Sequence, residues 1–304
     1  MKKTDYAGAG GVKTALKSPQ FGVWLADLAL VTCAFFWGFG FVAMKSALSV
    51  YPGYWLLFFR FTGGAFLMGA CFRKRLYASA RSDLRGGALI GVFLFMAMGF
   101  QALGLNYTSV GKQAFLTGSY VIMVPLLLWV LRRIFPGWAA IVGALICFAG
   151  MGLLTSDVSG PLNVGDVLTT VAALFLAGHI ISIGYYAKNG DPMVLTFMQF
   201  AVAAVLSLCA ALIFNGTLVL QGTQGLMEIA FMTVFPTFLS FLLQNVGQKY
   251  TPPAHASILL GLESVFGALG GIFILKEVFT ARMALGCVFI FGAVILVELK
   301  KNLS

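Results

Sequence analysis

Ten stretches of this 304-residue chain are apolar for long enough to cross a lipid bilayer, which leaves few folds open. They run over about 23–48, 53–72, 86–105, 110–131, 138–155, 165–187, 192–214, 226–247, 254–275 and 281–299. Some 20 apolar residues cross the hydrocarbon as a helix, and in lipid each backbone polar group must be bonded within its own segment. The expected fold is therefore all-α and integral to a membrane, with ten transmembrane helices. Composition agrees, since 60% of residues are hydrophobic and 10% charged, too apolar for a soluble domain of this size. The connections are short and leave no room for a separate soluble domain.

The second half of the chain echoes the first. At a constant offset of 143 residues, Gln101 falls on Gln244, Gly104 on Gly247, and Tyr107-Thr108 on Tyr250-Thr251. Leu116 falls on Leu259, Gly118 on Gly261, Gly143 on Gly286 and Phe148 on Phe291. Matched polar residues and glycines in one register point to a duplicated unit. The expected organisation is a tail over 1–22, a first five-helix repeat over 23–155, a linker over 156–164 and a second repeat over 165–300. Because each unit holds an odd number of spans, the second begins on the opposite face, so the repeats are inverted. That plan recurs in secondary transporters, with the substrate site near the midplane where the repeats meet.

The net charge of +10 reads as topology rather than as affinity for nucleic acid. With the N-terminus placed inside, the inner segments hold 15 Lys and Arg residues and the outer ones hold 4. An excess of that kind marks the cytoplasmic side, so both termini are expected there. The opening 22 residues are polar and lack the short apolar core of a signal peptide. Cys33, Cys71, Cys147, Cys209 and Cys287 are scattered at no metal or redox spacing and read as small hydrophobes. The motif of a phosphate-binding loop needs Gly at 106 and Ser or Thr at 113, where Asn106 and Gln113 stand. With His179 and His255 the only histidines, no zinc motif forms either, so neither catalysis nor a cofactor is expected.

Polar residues inside the spans are the candidate site. Span four sets Gln113, Thr117 and Tyr120 on one helical face, and the repeat maps Tyr120 onto Glu263. Glu263 lies deep in span nine, where a carboxylate must be protonated, paired or wet; it suits a proton carrier or a fixed tie between spans four and nine. Arg60, well past Pro52 in span two, is its candidate charge partner. Lys112 and its repeat partner His255 read as gates at the outer and inner mouths, or as side chains snorkelling at helix ends. Asp27 and Trp24 read as interfacial. Span eight carries a stripe of Thr233, Thr237, Ser240, Gln244 and Gln248 that should face other helices or water. His179, with Ser182 and Tyr186, is either a proton-exchanging group or a packed donor, and Trp37 is a candidate cavity wall.

A further ordered set of residues runs through the spans. Trp37-Gly38 stands in span one, Arg60-Phe61 in span two and Asn106-Tyr107-Thr108-Ser109 at the start of span four. Gly165-Asp166 opens span six, Leu262-Glu263-Ser264-Val265-Phe266 lies in span nine, and Leu275-Lys276-Glu277 precedes span ten. From about residue 23 to 300 the chain resembles the drug/metabolite transporter superfamily, in its ten-helix, EamA-type branch. The resemblance implies substrate-selective transport without ATP, often export of amino acids or other small metabolites. One departure is Ser264, where similar proteins often carry Pro after the glutamate, so a proline kink is not carried over.

The resulting expectation is a transporter of the cytoplasmic membrane that exports a small metabolite by alternating access. One repeat-derived bundle would rock against the other around a cavity lined by spans one, three, four, six, eight and nine. Pathway candidates are Trp37, Gln101, Gln113, Thr117, Tyr120, His179, Gln244 and Glu263, with protons and lipid as further partners. The rival from another class is a membrane scaffold, whose centre would be apolar and dry.

Overall fold

The computed structural model describes residues 19–133, 135–155, 161–217, 225–276 and 278–301. Most of the expected tail and of the linker 156–164 lies outside the described residues, as does Glu277. The first repeat consists of α1 (Pro19–Leu48), α2 (Gly53–Tyr77), α3 (Arg81–Gly104), α4 (Val110–Gly118), α5 (Tyr120–Arg132) and α6 (Trp138–Leu154). The second consists of α7 (Val164–Tyr186), α8 (Pro192–Ala210), α9 (Leu226–Met232), α10 (Ser240–Gln248), α11 (Pro253–Leu260), α12 (Glu263–Leu275) and α13 (Ala281–Lys301). Among the described residues nine helical segments are long and apolar enough to cross a membrane, and α6 is a shorter apolar helix at a tenth position. The fold is thus all-helical, with ten membrane segments in two inverted five-span repeats. The face where α1 begins is called the N-face below, and the opposite one the far face.

Helix starts follow from local chemistry. Asn163 and Asp166 form a reciprocal capping box at the start of α7, and Asp191 caps α8 ahead of Pro192. Ser109 accepts from the Lys112 N–H at the start of α4.

Besides a π-helical turn, Ala211–Asn215, that ends span seven, two features differ from ten plain helices. Spans four and nine are each broken, at Ser119 and at Gly261-Leu262, positions that the repeat places on each other. There the hydrogen bonds tighten to i→i−3, as in Ser119 N–H to Leu116 O and Leu262 N–H to Leu259 O. The break in span nine needs no proline, so Ser264 costs it nothing. Span eight holds a π-helical turn, Thr233–Leu239, around Pro236, which a reading at 3.6 residues per turn does not reveal. Its polar stripe nevertheless faces inward, because Thr237, Ser240 and Gln244 are fully buried.

The repeats do not form separate bundles, contrary to the expectation of two repeat-derived bodies. α3 lies against α7 and α8, α2 against α8, α1 against α10 and α12, and α6 against α13. Each of these pairs takes one helix from each repeat. Small residues let the backbones approach, as lipid-embedded helices require. A Cβ at Gly104 would lie 3.0 Å from the Gly165 carbonyl oxygen, and one at its repeat partner Gly247 would lie 2.8 Å from that of Ala26. The duplicated glycines therefore mark two equivalent crossings between repeats.

Candidate functional site

The breaks in spans four and nine bring two side chains to the centre. Tyr120 opens α5, Glu263 opens α12, and the Tyr120 hydroxyl donates to Glu263 Oε1 at 3.1 Å. These residues are partners under the repeat. Residues related by a two-fold axis can touch only near that axis, so this hydrogen bond marks where the two repeats meet. Discontinuous helices at that place are the usual frame of a transporter site.

A cavity opens on the far-face side of this bond, with an empty volume, mouth included, of about 570 Å³. Its polar lining is Arg60, Gln101, Thr117 and Glu263, and its apolar lining includes Trp37, Met44, Met98, Met232 and Phe241. Arg60 is buried, and its Nε donates to Thr237 Oγ1 at 3.1 Å. The expected Arg60–Glu263 ion pair is not formed; the two charges face the same cavity, held by different neighbours. Gln101 donates to Thr117 Oγ1 at 3.2 Å. The Trp37 indole donates to the Pro236 carbonyl at 3.0 Å, so the π-helical turn supplies an acceptor to the wall. Removing that donor with Trp37→Phe is expected to cost about 1 kcal/mol, as for a typical hydrogen bond, read as a lower melting temperature in detergent.

Other expected pathway residues stand behind this lining. Gln113 donates to the Gln101 carbonyl at 2.6 Å and so anchors α4 to the end of α3. Tyr120 is fully buried beneath Glu263. His179 Nε2 lies 3.0 Å from Gln199 Oε1, and His179, like Gln244, has no exposed surface.

Lys112 and His255 do not stand beside the cavity, and they do not snorkel. Lys112 Nζ lies 2.6 Å from Asp166 Oδ2, and Thr108 donates to the same carboxylate at 2.8 Å. At the N-face, His255 Nε2 lies 2.6 Å from Glu298 Oε1, while Thr251 donates to Asp27 at 2.6 Å. Thr108 and Thr251 are repeat partners, as are Lys112 and His255. The first cluster ties the start of span four to α7, the first helix of the other repeat; the second ties the start of span nine to α1 through Thr251 and to α13 of its own repeat through His255. Asp27, read as interfacial, is buried here because Thr251 binds it. Asp27, His255 and Glu298 have ligand atoms within 4.8 Å of one another, and among the described residues they are the group that could hold a metal ion.

Over residues 24–156, and again over 163–299, the chain matches the EamA-like transporter family. It belongs to that family. An uncharacterized transporter of Archaeoglobus fulgidus is 32% identical over 276 residues, covering 90% of this chain and 86% of the relative. A chloroplastic WAT1-related protein of Arabidopsis thaliana is 24% identical over 295 residues, 91% of this chain and 70% of that one. A solved crystal structure with 18% identity superposes with a TM-score of 0.77, covering 92% of this chain and 98% of the other, a likeness of fold. The chain is thus a multi-pass membrane transporter of the EamA-like family, with the cavity at the junction of its repeats.

Sequence reasoning missed Asp27, Asp166 and Glu298 as ion-cluster members and the Pro236 carbonyl as an acceptor. The repeated Tyr-Thr pair carried the one usable signal, since a threonine repeated in register at the start of a span asks for an acceptor. Nothing local to Pro236 announces that Trp37 reaches it.

Proposed function

We propose that the chain exports a small zwitterionic metabolite, such as an amino acid, across the cytoplasmic membrane by alternating access, in exchange for protons. The observation that supports this reading is the cavity on the repeat axis that holds one carboxylate, Glu263, and one guanidinium, Arg60, among apolar walls. A zwitterion offers the complement of both: its ammonium group suits Glu263 and its carboxylate suits Arg60. Trp37, Met98 and Phe241 suit an apolar side chain between them. A proton and the ammonium group compete for the same carboxylate, so each is released as the other binds, which is the logic of antiport. The excess of Lys and Arg at the N-face supports a cytoplasmic placement of both termini. A scaffold needs no polar cavity at its centre, so the lining speaks for transport.

The test is counterflow of labelled amino acids in proteoliposomes, with and without an imposed pH gradient. The expected result is a saturable, pH-driven flux. Glu263→Gln keeps an acceptor for Tyr120 but loses the charge. A hydrogen bond to a charged group is worth about 1.5–3 kcal/mol, so flux should fall about 10- to 100-fold and lose its pH dependence. A flux with unchanged pH response in this variant removes Glu263 as the proton carrier, a parent flux that ignores the pH gradient removes protons from the mechanism, and no flux for any zwitterion rejects the substrate class.

A further inference from the structure

Seven buried side-chain polar atoms lack a hydrogen-bond partner among the described residues, and all seven belong to the second repeat. They are His179 Nδ1, Gln199 Nε2, Ser207 Oγ, both amide atoms of Gln244, Asn245 Oδ1 and Gln248 Oε1. The first repeat differs: Gln101, the equivalent of Gln244, donates to Thr117 and faces the cavity, and the positions equivalent to His179, Gln199 and Gln248 are the apolar Phe36, Leu56 and Leu105. A buried amide with neither atom bonded is expensive inside a membrane and calls for a role that offsets the cost.

Position explains the asymmetry. Gln244 is the repeat partner of Gln101, and it lies mid-way along α10, one turn from the N-face end. His179, Gln199 and Gln248 lie in the same half, on α7, α8 and α10, where Gln248 donates to the Ile180 carbonyl at 2.9 Å. The Phe241 ring stands edge-on to His179, with centroids 5.7 Å apart, and forms part of the cavity wall on its other side. The polar group therefore sits across Phe241 and Glu263 from the cavity. When inverted repeats exchange conformations, the open half of the pathway becomes the closed half.

We propose that Gln244, with His179, Gln199 and Gln248, is a second polar subsite on the N-face side of Glu263, closed in this conformation, that receives the hydrogen-bonding groups of the substrate. It takes an uncharged or zwitterionic polar ligand, since amides and an imidazole offer donors and acceptors without a fixed charge. The inference rests on the transporter reading and adds the half of the pathway that the cavity leaves out. The N-face ties Thr251–Asp27 and His255–Glu298 lie between this subsite and the membrane edge.

The test uses single cysteines in the full chain lacking its five native ones, in vesicles of known orientation. The probe is a membrane-impermeant trimethylammonium methanethiosulfonate. Gln244→Cys and Gln199→Cys are expected to react from the N-face at least about tenfold faster than Ala203→Cys, a fully buried packing position, because a minor open state exposes them. Gln101→Cys should react from the far face. Silence at both 244 and 199 while 101 reacts overturns the subsite and leaves the transporter standing; silence at 101 as well removes both. Gln244→Leu covers a cysteine variant that misfolds. It removes two unpaired polar atoms, so its melting temperature should hold or rise while amino-acid counterflow falls about tenfold, the loss of one good contact. Unchanged flux in that variant assigns Gln244 to packing and overturns the proposal.

Discussion

Lys112→Met is expected to destabilise the protein by about 3–5 kcal/mol, because it leaves the Asp166 carboxylate buried without its cation. Lys112 and Asp166 are both buried, and their charged atoms lie 2.6 Å apart. The lysine also donates to the Pro161 carbonyl at 3.3 Å, so its loss frees the segment leading into α7 as well. The carboxylate retains Thr108 and the Asn163 N–H, two neutral donors that do not offset a full charge. Adding Asp166→Asn should restore most of the loss, since the amide oxygen still accepts from Thr108 and no charge remains to bury. Unfolding in mixed detergent micelles would read both effects. A single variant within about 1 kcal/mol of the parent would place this pair among surface ion pairs, which are worth that little.

Gly38→Val is expected to be the most damaging of the glycine substitutions, with a loss of about 3 kcal/mol, at the upper end for overpacking. A Cβ at Gly38 would stand 2.6 Å from the carbonyl oxygen of Glu263 and 2.7 Å from the amide nitrogen of Gly267. Those obstacles are backbone, which cannot turn aside as a side chain would. α1 must then move off α12 at the one level where Glu263 meets the cavity, and Trp37, the next residue, moves with it. The expected signature is therefore double: a lower unfolding free energy, and transport lost even in the fraction that folds. Gly22, where a Cβ would meet nothing within 4 Å, is the control, and Gly22→Val should leave both readings close to those of the parent.

The sequence carried much of this architecture and less of its chemistry. The broad limits of the spans were legible, because the transfer of apolar residues to lipid is a local, additive property of the chain. So was the duplication, and with it the inversion, which follows from counting spans. Glu263 could be singled out because a carboxylate far from both helix ends is costly wherever it faces. The π-helical turn and the broken spans were not legible, since 3.6-residue periodicity continues on either side of each.

Partnership was the larger gap. Arg60 and Glu263 were paired on sequence because they are the two deep charges, yet Thr237 takes the arginine and Tyr120 takes the glutamate. Lys112 and His255 were placed at cavity mouths because they sit at helix ends, but Lys112 finds Asp166 on α7 of the other repeat and His255 finds Glu298 on α13 of its own. Which polar groups meet depends on the depth and rotation of helices distant in sequence, and those are set by close backbone contacts such as Gly38 on α12 and Gly104 on α7.

The chain by itself thus determined that ten membrane segments form in two inverted copies, since hydropathy and repeat register are written along the sequence. Only the tertiary structure decided that the copies interleave, that Tyr120 meets Glu263 on their axis, and that Gln101 faces a cavity while Gln244 is shut away. Two repeat-related glutamines can differ in this way because the helices packed around each are different, and that packing is set by contacts distant in sequence.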